Sequence, residues 1–252
     1  MQCCALYLSA FVPAASLAAV DDRWEIGADS DQWGYRAQIY LWGAGIDGDT
    51  LSGDDIDISF GDLISNLDFA IMGTLAAGKN KWTLFADVVY LNVSEETSST
   101  ANIIDVPVRT EADVTMKGFI STMGGAYNVL ESGGTRVNAF AGVRYLYLDT
   151  DLDFDIGNAR QRSISESGDA WDGIVGLRGK TDLSPRWYLN YYGDVGTGDS
   201  RLTWQVAAGI NYRFNSVDAA LGYRYLRWET DQSDIFDNLT ISGPYAGVTF
   251  RF

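Results

Sequence analysis

From Leu202 to Phe214 every second residue is apolar. Leu202, Trp204, Val206, Ala208, Ile210, Tyr212 and Phe214 alternate with Thr203, Gln205, Ala207, Gly209, Asn211 and Arg213. Successive side chains of a β-strand point to opposite faces, so this run makes a strand with one apolar and one polar face. A helix would scatter the same residues around its circumference. The pattern recurs along the chain. Val217, Ala219, Leu221, Tyr223 and Tyr225 oppose Asp218, Ala220, Gly222 and Arg224. Val137, Ala139, Ala141, Val143, Tyr145 and Tyr147 oppose Asn138, Gly142 and Arg144. Trp82, Leu84, Ala86, Val88 and Tyr90 oppose Thr83, Phe85 and Asp87, a less purely polar face. Tyr35, Ala37, Ile39 and Leu41 oppose Arg36, Gln38 and Tyr40. At the carboxy-terminal end, Ala246, Val248, Phe250 and Phe252 oppose Tyr245, Gly247, Thr249 and Arg251.

Further runs near 67–78, 112–129, 169–181 and 185–196 bring the strand count to about ten, with eight and twelve as the neighbouring alternatives. These features predict an all-β fold, a single antiparallel up-and-down transmembrane β-barrel. The joins alternate in length. Short turns are expected at 79–81, 131–135, 182–186 and 215–216, and longer joins near 47–66, 94–112, 149–168 and 229–239, plus a short one at 196–200. Short turns at one end and long loops at the other is the arrangement of outer-membrane barrels. Ser59 to Leu67 departs from strand character and reads equally as a capped short helix or as irregular loop.

The polar face separates a membrane barrel from a soluble one. A soluble barrel turns its apolar face inward and a Lys- and Glu-rich face outward. Here the polar face is mostly Gly, Thr, Asn, Gln, Arg and Asp, which suits an enclosed interior. The apolar face carries Trp187, Tyr191, Trp204, Phe214, Tyr223 and Tyr225 near strand ends, where aromatic rings favour the two membrane–water interfaces. Residues 1–19 are apolar and end in small residues like a secretory signal peptide, although no Lys or Arg precedes Arg23. The expected organisation is therefore a signal peptide over 1–19 and one barrel domain over 20–252, exported through the periplasm to the outer membrane. Cys3 and Cys4, the only cysteines, lie inside the leader, so no disulfide, thiolate metal site or thiol nucleophile is expected. The net charge of −16 excludes nucleic acid as a partner.

The inward face holds the candidate functional residues: Arg36, Arg144, Arg178, Arg213, Arg224 and Arg251, with Asp87, Asp172, Asp194 and Asp218. Opposite charges in a narrow barrel must pair, because an unpaired buried charge is expensive. Two readings stay open, a structural network of ion pairs and a water-filled, arginine-lined path that prefers anions. Inward Tyr40, Trp42, Phe85, Tyr188 and Tyr192 would narrow such a path. Lys117 shares a face with Phe119, Met123 and Tyr127, which places it at the rim. The acidic surplus concentrates in the long joins, at Asp47, Asp49, Asp54, Asp55 and Asp57 and at Asp149, Asp151, Asp153 and Asp155. These carboxylates would attract divalent cations near lipopolysaccharide, but no EF-hand spacing is present, and neither a specific metal site nor a cofactor is expected.

Several strings spread over the chain carry a resemblance: Asn66–Ala70 with Met72-Gly73, Trp171–Gly179, Asp194–Asp199, Gly222–Leu226 and Gly243–Gly247. With them the chain resembles the small outer-membrane β-barrel proteins of Gram-negative bacteria, the OmpA-type and small-porin group, and within it a set of uncharacterised proteobacterial outer-membrane proteins. The resemblance implies the fold and the location. It also implies that terminal Phe252 on the closing strand serves as an assembly signal for the outer-membrane machinery. It brings no catalytic motif. Barrel hydrolases use a Ser–His or Asp–His pair, and this chain has no histidine, so no enzyme is expected. The function expected is a non-enzymatic barrel with an ion-paired interior and a structural or surface-interaction role; the alternative is a small porin for ions or small solutes.

Overall fold

The computed structural model describes residues 31–49, 55–58, 61, 67–103, 106–156, 161–230 and 238–252. The expected signal segment, and nearly all of the helix or loop expected after Ser59, lie outside these residues. The strands are β1 Gly34–Trp42, β2 Gly45–Asp49, β3 Asp55–Ile58, β4 Leu67–Lys79, β5 Trp82–Ile103, β6 Val106–Ser132, β7 Thr135–Ile156, β8 Gln161–Asp182, β9 Trp187–Gly198, β10 Leu202–Arg213, β11 Val217–Glu229 and β12 Asn238–Arg251.

Ten of these strands close a barrel. The order runs β1-β4-β5-β6-β7-β8-β9-β10-β11-β12, and β12 pairs back onto β1. Every pairing is antiparallel, as a chain of hairpins requires. The last residue completes the seam: Phe252 and Tyr35 exchange backbone N–H···O bonds of 3.0 and 3.1 Å. β2 continues β1 in the same register along β12, since Trp42 faces Tyr245 and Gly45 faces Ser242. Between them the chain presses close to its neighbour. A Cβ on Gly243 would stand 2.0 Å from the Gly43 carbonyl oxygen, so only glycine fits there. β3 folds back on β2 as an extra strand outside the ring.

The expected short turns at 79–81 and 131–135 are tight. Asn80 (φ 55°), Gly133 (φ 59°) and Gly134 (φ 78°) take the left-handed conformations such turns need. The joins expected at 94–112 and 149–168 differ from that reading. Most of both stretches is strand, because β5 to β8 run 22, 27, 22 and 22 residues while β9 to β12 run 12 to 14. Ser94–Ile103 and Val106–Asp113 continue their ladder although their sequence holds no sustained alternation that would make an apolar face. Backbone pairing needs no such face once a strand has left the apolar belt, and an apolar face was the signal used to delimit strands.

The belt itself is visible on the outer face. Ile39 (66 % exposed) and Leu41 (71 %) stand out from the wall, whereas Leu226 (0 %) on the inner face is sealed. Two girdles of aromatic rings bound the belt. Phe69 and Tyr90, Phe119 and Tyr145, Tyr145 and Trp171, and Trp204 and Tyr225 are ring contacts on the long-loop side. Trp82 and Tyr127, and Trp187 and Tyr212, are contacts on the short-turn side. On β5, β6 and β10 the girdles stand eight residues apart, at Trp82 and Tyr90, Tyr127 and Phe119, and Tyr212 and Trp204. At the rise of a tilted strand that is roughly 20 Å of height, close to the apolar band of a membrane barrel. Lys117 lies beyond the upper girdle, on the outer face, 3.8 Å from both Asp149 and Asp151.

Candidate functional site in the barrel interior

The interior is layered along the barrel axis. Toward the long-loop end it is apolar. Val89, Ile120, Leu146, Leu226 and Trp228 pack with Trp42, Met72, Leu239 and Ile241 in one buried cluster. Leu226 and Trp228 are fully buried and Leu146 nearly so. The interior was expected to be polar, and in this layer it is not. An enclosed lumen that carries no water gains by burying apolar surface, as any protein core does. Val89 and Leu91 point inward while Val88 and Tyr90 point outward, so β5 loses its alternation here and its inner face is unreadable from period alone.

The middle layer is a charge network that crosses the barrel. Arg144 on β7 is completely buried and donates from Nη2 to Asp194 Oδ2 on β9 at 2.5 Å. It also donates to Thr203 Oγ1 at 3.0 Å, and more weakly to Thr122 Oγ1 and Gln205 Oε1, each at 3.4 Å. Arg224 on β11 donates to Asp87 Oδ2 on β5 and to the Tyr40 hydroxyl, both at 2.9 Å. Its other terminal nitrogen donates to Gln205 Oε1 at 2.9 Å, so Gln205 bridges the two arginines. The Tyr40 hydroxyl and Thr74 Oγ1 both donate to Asp87 Oδ1, at 2.9 and 2.7 Å. Arg224 also lies over the Trp42 ring, 4.6 Å from its centre. Such charge-assisted bonds between strands far apart in sequence cross-brace the wall. Asp172 is buried opposite Arg144 in the β7–β8 register, but accepts instead from the Ser200 backbone N–H at 3.0 Å.

The layer nearest the short turns is looser. Arg213 pairs with Asp182 at 2.6 Å, Arg251 with Asp218 at 2.9 Å, and the Tyr188 hydroxyl donates to Asp218 at 2.9 Å. Phe140 stacks on Tyr192 and meets Phe85 edge-on, with ring centres 5.1 and 5.3 Å apart. Beside them is a cavity of about 220 Å³ bordered by Arg36 and Arg178. Each of the other eight charged residues expected to face inward makes at least one polar contact, whereas Arg36 and Arg178 have no carboxylate partner among the described residues. The pattern of pairing was beyond sequence reasoning, because each partnership links strands dozens of residues apart. Gln205, Thr74 and Thr203 were missed as members, since neutral residues on a polar face carry no signal of their own. Asp182 was missed because it lies where strand gives way to turn.

No family model and no curated protein matches the sequence. Solved structures do. The outer membrane protease OmpT from Escherichia coli aligns at 12 % identity over 87 % of this chain and 97 % of its own, with a TM-score of 0.55. The translocator domain of the autotransporter NalP from Neisseria meningitidis aligns at 18 % identity over 93 % of this chain and 92 % of its own, with a TM-score of 0.46. At such identities the likeness concerns architecture, not chemistry. The chain has the fold of the outer-membrane β-barrels, in a small ten-stranded form.

Proposed function

We propose that the protein is a non-enzymatic, integral barrel of the Gram-negative outer membrane, closed by its own side chains, with a structural or surface-interaction role. The observation that carries this reading is the interior itself. An apolar layer and a paired charge layer lie one above the other, and Arg144, Leu226 and Trp228 in them are 0 % exposed. The two aromatic girdles support the membrane placement. The chain has no histidine to serve as a base near neutral pH, which supports a role outside catalysis. The β5–β8 wall stands well beyond the upper girdle and is the natural surface for contacts outside the membrane. Outer-membrane lipid and lipopolysaccharide are the expected surroundings, with divalent cations held loosely near Asp149 and Asp151. Phe252 is the residue the assembly machinery would recognise during insertion, a reading supported by its 65 % exposure. The residues before Val20 fit an export signal.

Single-channel recording in a planar bilayer tests the closed lumen. Protein shown to be folded is expected to pass no current above leak. Reproducible anion-selective steps that change in Arg144→Ala or Arg224→Ala would replace this reading with the small-porin one.

A further inference from the structure

Arg36 and Arg178 border one cavity without an ion pair to either, in an interior that pairs its other arginines so thoroughly; Asp87, bonded to Arg224, lines the same space. Arg36 projects from β1 and Arg178 from β8, on different walls of the barrel. Both border the 220 Å³ cavity. The Arg36 Nε is buried and makes no hydrogen bond. Arg178 rests on the Phe85 ring, 4.7 Å from its centre, a contact that leaves the edge of its guanidinium fork uncommitted. The nearest carboxylates are already engaged. Asp218 is held by Arg251 and Tyr188, and Asp87 by Arg224, Tyr40 and Thr74. Neutral groups complete the lining: Asn190, Asn211 and the Tyr192 ring border the same space, the two amides tied to one another and to Tyr245.

We propose that this cavity is a binding site for one small oxyanion, of the phosphate or carboxylate class, entering from the short-turn end of the barrel. The charge calls for an anion. Guanidinium forks suit planar or tetrahedral oxygen groups that accept two parallel bonds. The volume admits an ion of that size with a few waters and excludes anything polymeric. The charge and apolar layers close the cavity toward the long loops, so the site is a blind pocket and not a stage in a conduction path. The inference extends the closed-barrel reading, and binding is measurable whether or not the protein conducts.

The test is thermal unfolding and calorimetry of the folded protein in lipid vesicles, with inorganic phosphate or succinate added against chloride at matched ionic strength. A ligand that binds only the folded state raises the unfolding temperature with concentration. At least one of the two anions is expected to do so, and which one identifies the oxygen group preferred. Arg36→Gln and Arg178→Gln should each weaken binding at least tenfold, and the pair together should abolish it. Arg178→Lys, which keeps the charge and loses the fork, should fall between. Arg227→Gln, at the opposite end of β11 and on the outer face, should leave binding unchanged. Absence of any rise over chloride with both anions would overturn the proposal. So would an equal rise in the wild type and the Arg36→Gln, Arg178→Gln double variant. If the double variant fails to fold, the Arg178→Lys comparison decides, since a generic salt effect would leave it at the wild-type value. Conductance with intact anion binding would reject the closed lumen and leave the site standing.

Discussion

The two ends of the interior are built on different rules. Toward the long loops the barrel is packed like the core of a soluble protein, with Leu146, Leu226 and Trp228 in apolar contact and the Arg144–Asp194 pair buried beneath them. Toward the short turns it keeps a cavity, partly exposed ion pairs and two arginines without carboxylates. Both ends belong to the same ten strands and the same alternation. The difference shows that a closed barrel fixes which side chains point inward but not whether the space they enter is filled. Filling makes one end a seal. Incomplete filling leaves the other free to bind.

Substitutions at the packed end should cost most. Asp194→Ala leaves Arg144 buried with only neutral oxygen acceptors and should destabilise the barrel by about 3–5 kcal/mol. The measurement is the denaturant midpoint in lipid vesicles at unchanged slope. Leu226→Ala opens a void in the apolar layer and should cost ~2–5 kcal/mol, with the same readout. If the layer is a seal, the same variant should also raise the rate at which small solutes cross the vesicle wall. Gly142→Ala probes the spacing of the wall between the two zones. Its Cβ would meet the Met123 carbonyl oxygen at 2.1 Å, so β6 and β7 must part, at about 1–3 kcal/mol. Lys117→Met, outside the barrel, should change stability by less than about 1 kcal/mol, because its ion pairs with Asp149 and Asp151 are substantially solvated. A loss there as large as that from Asp194→Ala would remove the contrast between interior and rim.

Much of the wall was legible from sequence and much of its filling was not. Period two in Leu202–Phe214 and its counterparts gave about ten strands, the number that closes the barrel, because lipid on one side and an enclosed lumen on the other force alternation. The same signal fails where that contrast ends. Above the upper girdle, Ser94–Ile103 is paired strand that reads as loop, since water lies outside it. In the outer lumen, Val89 and Leu91 read as a blurred face, since packing replaced polar lining there. The β2–β3 hairpin is a short paired stretch rich in aspartate, too brief to show a run of alternation in sequence. Partners across the lumen, such as Arg224 and Asp87, depend on barrel closure and stagger, which no local window contains.

Thiol accessibility tests the two-zone interior most directly. In a background of Cys3→Ser and Cys4→Ser, Ala207→Cys places a thiol on the cavity wall and Ala170→Cys places one in the apolar layer. The folded protein in sealed lipid vesicles is treated with a membrane-impermeant thiol reagent from each side in turn. Labelling at position 207 from the short-turn side alone, with position 170 protected from both sides, is the predicted result. Labelling at position 170, or labelling at position 207 from both sides, would mean that water runs the length of the lumen and that the seal does not exist.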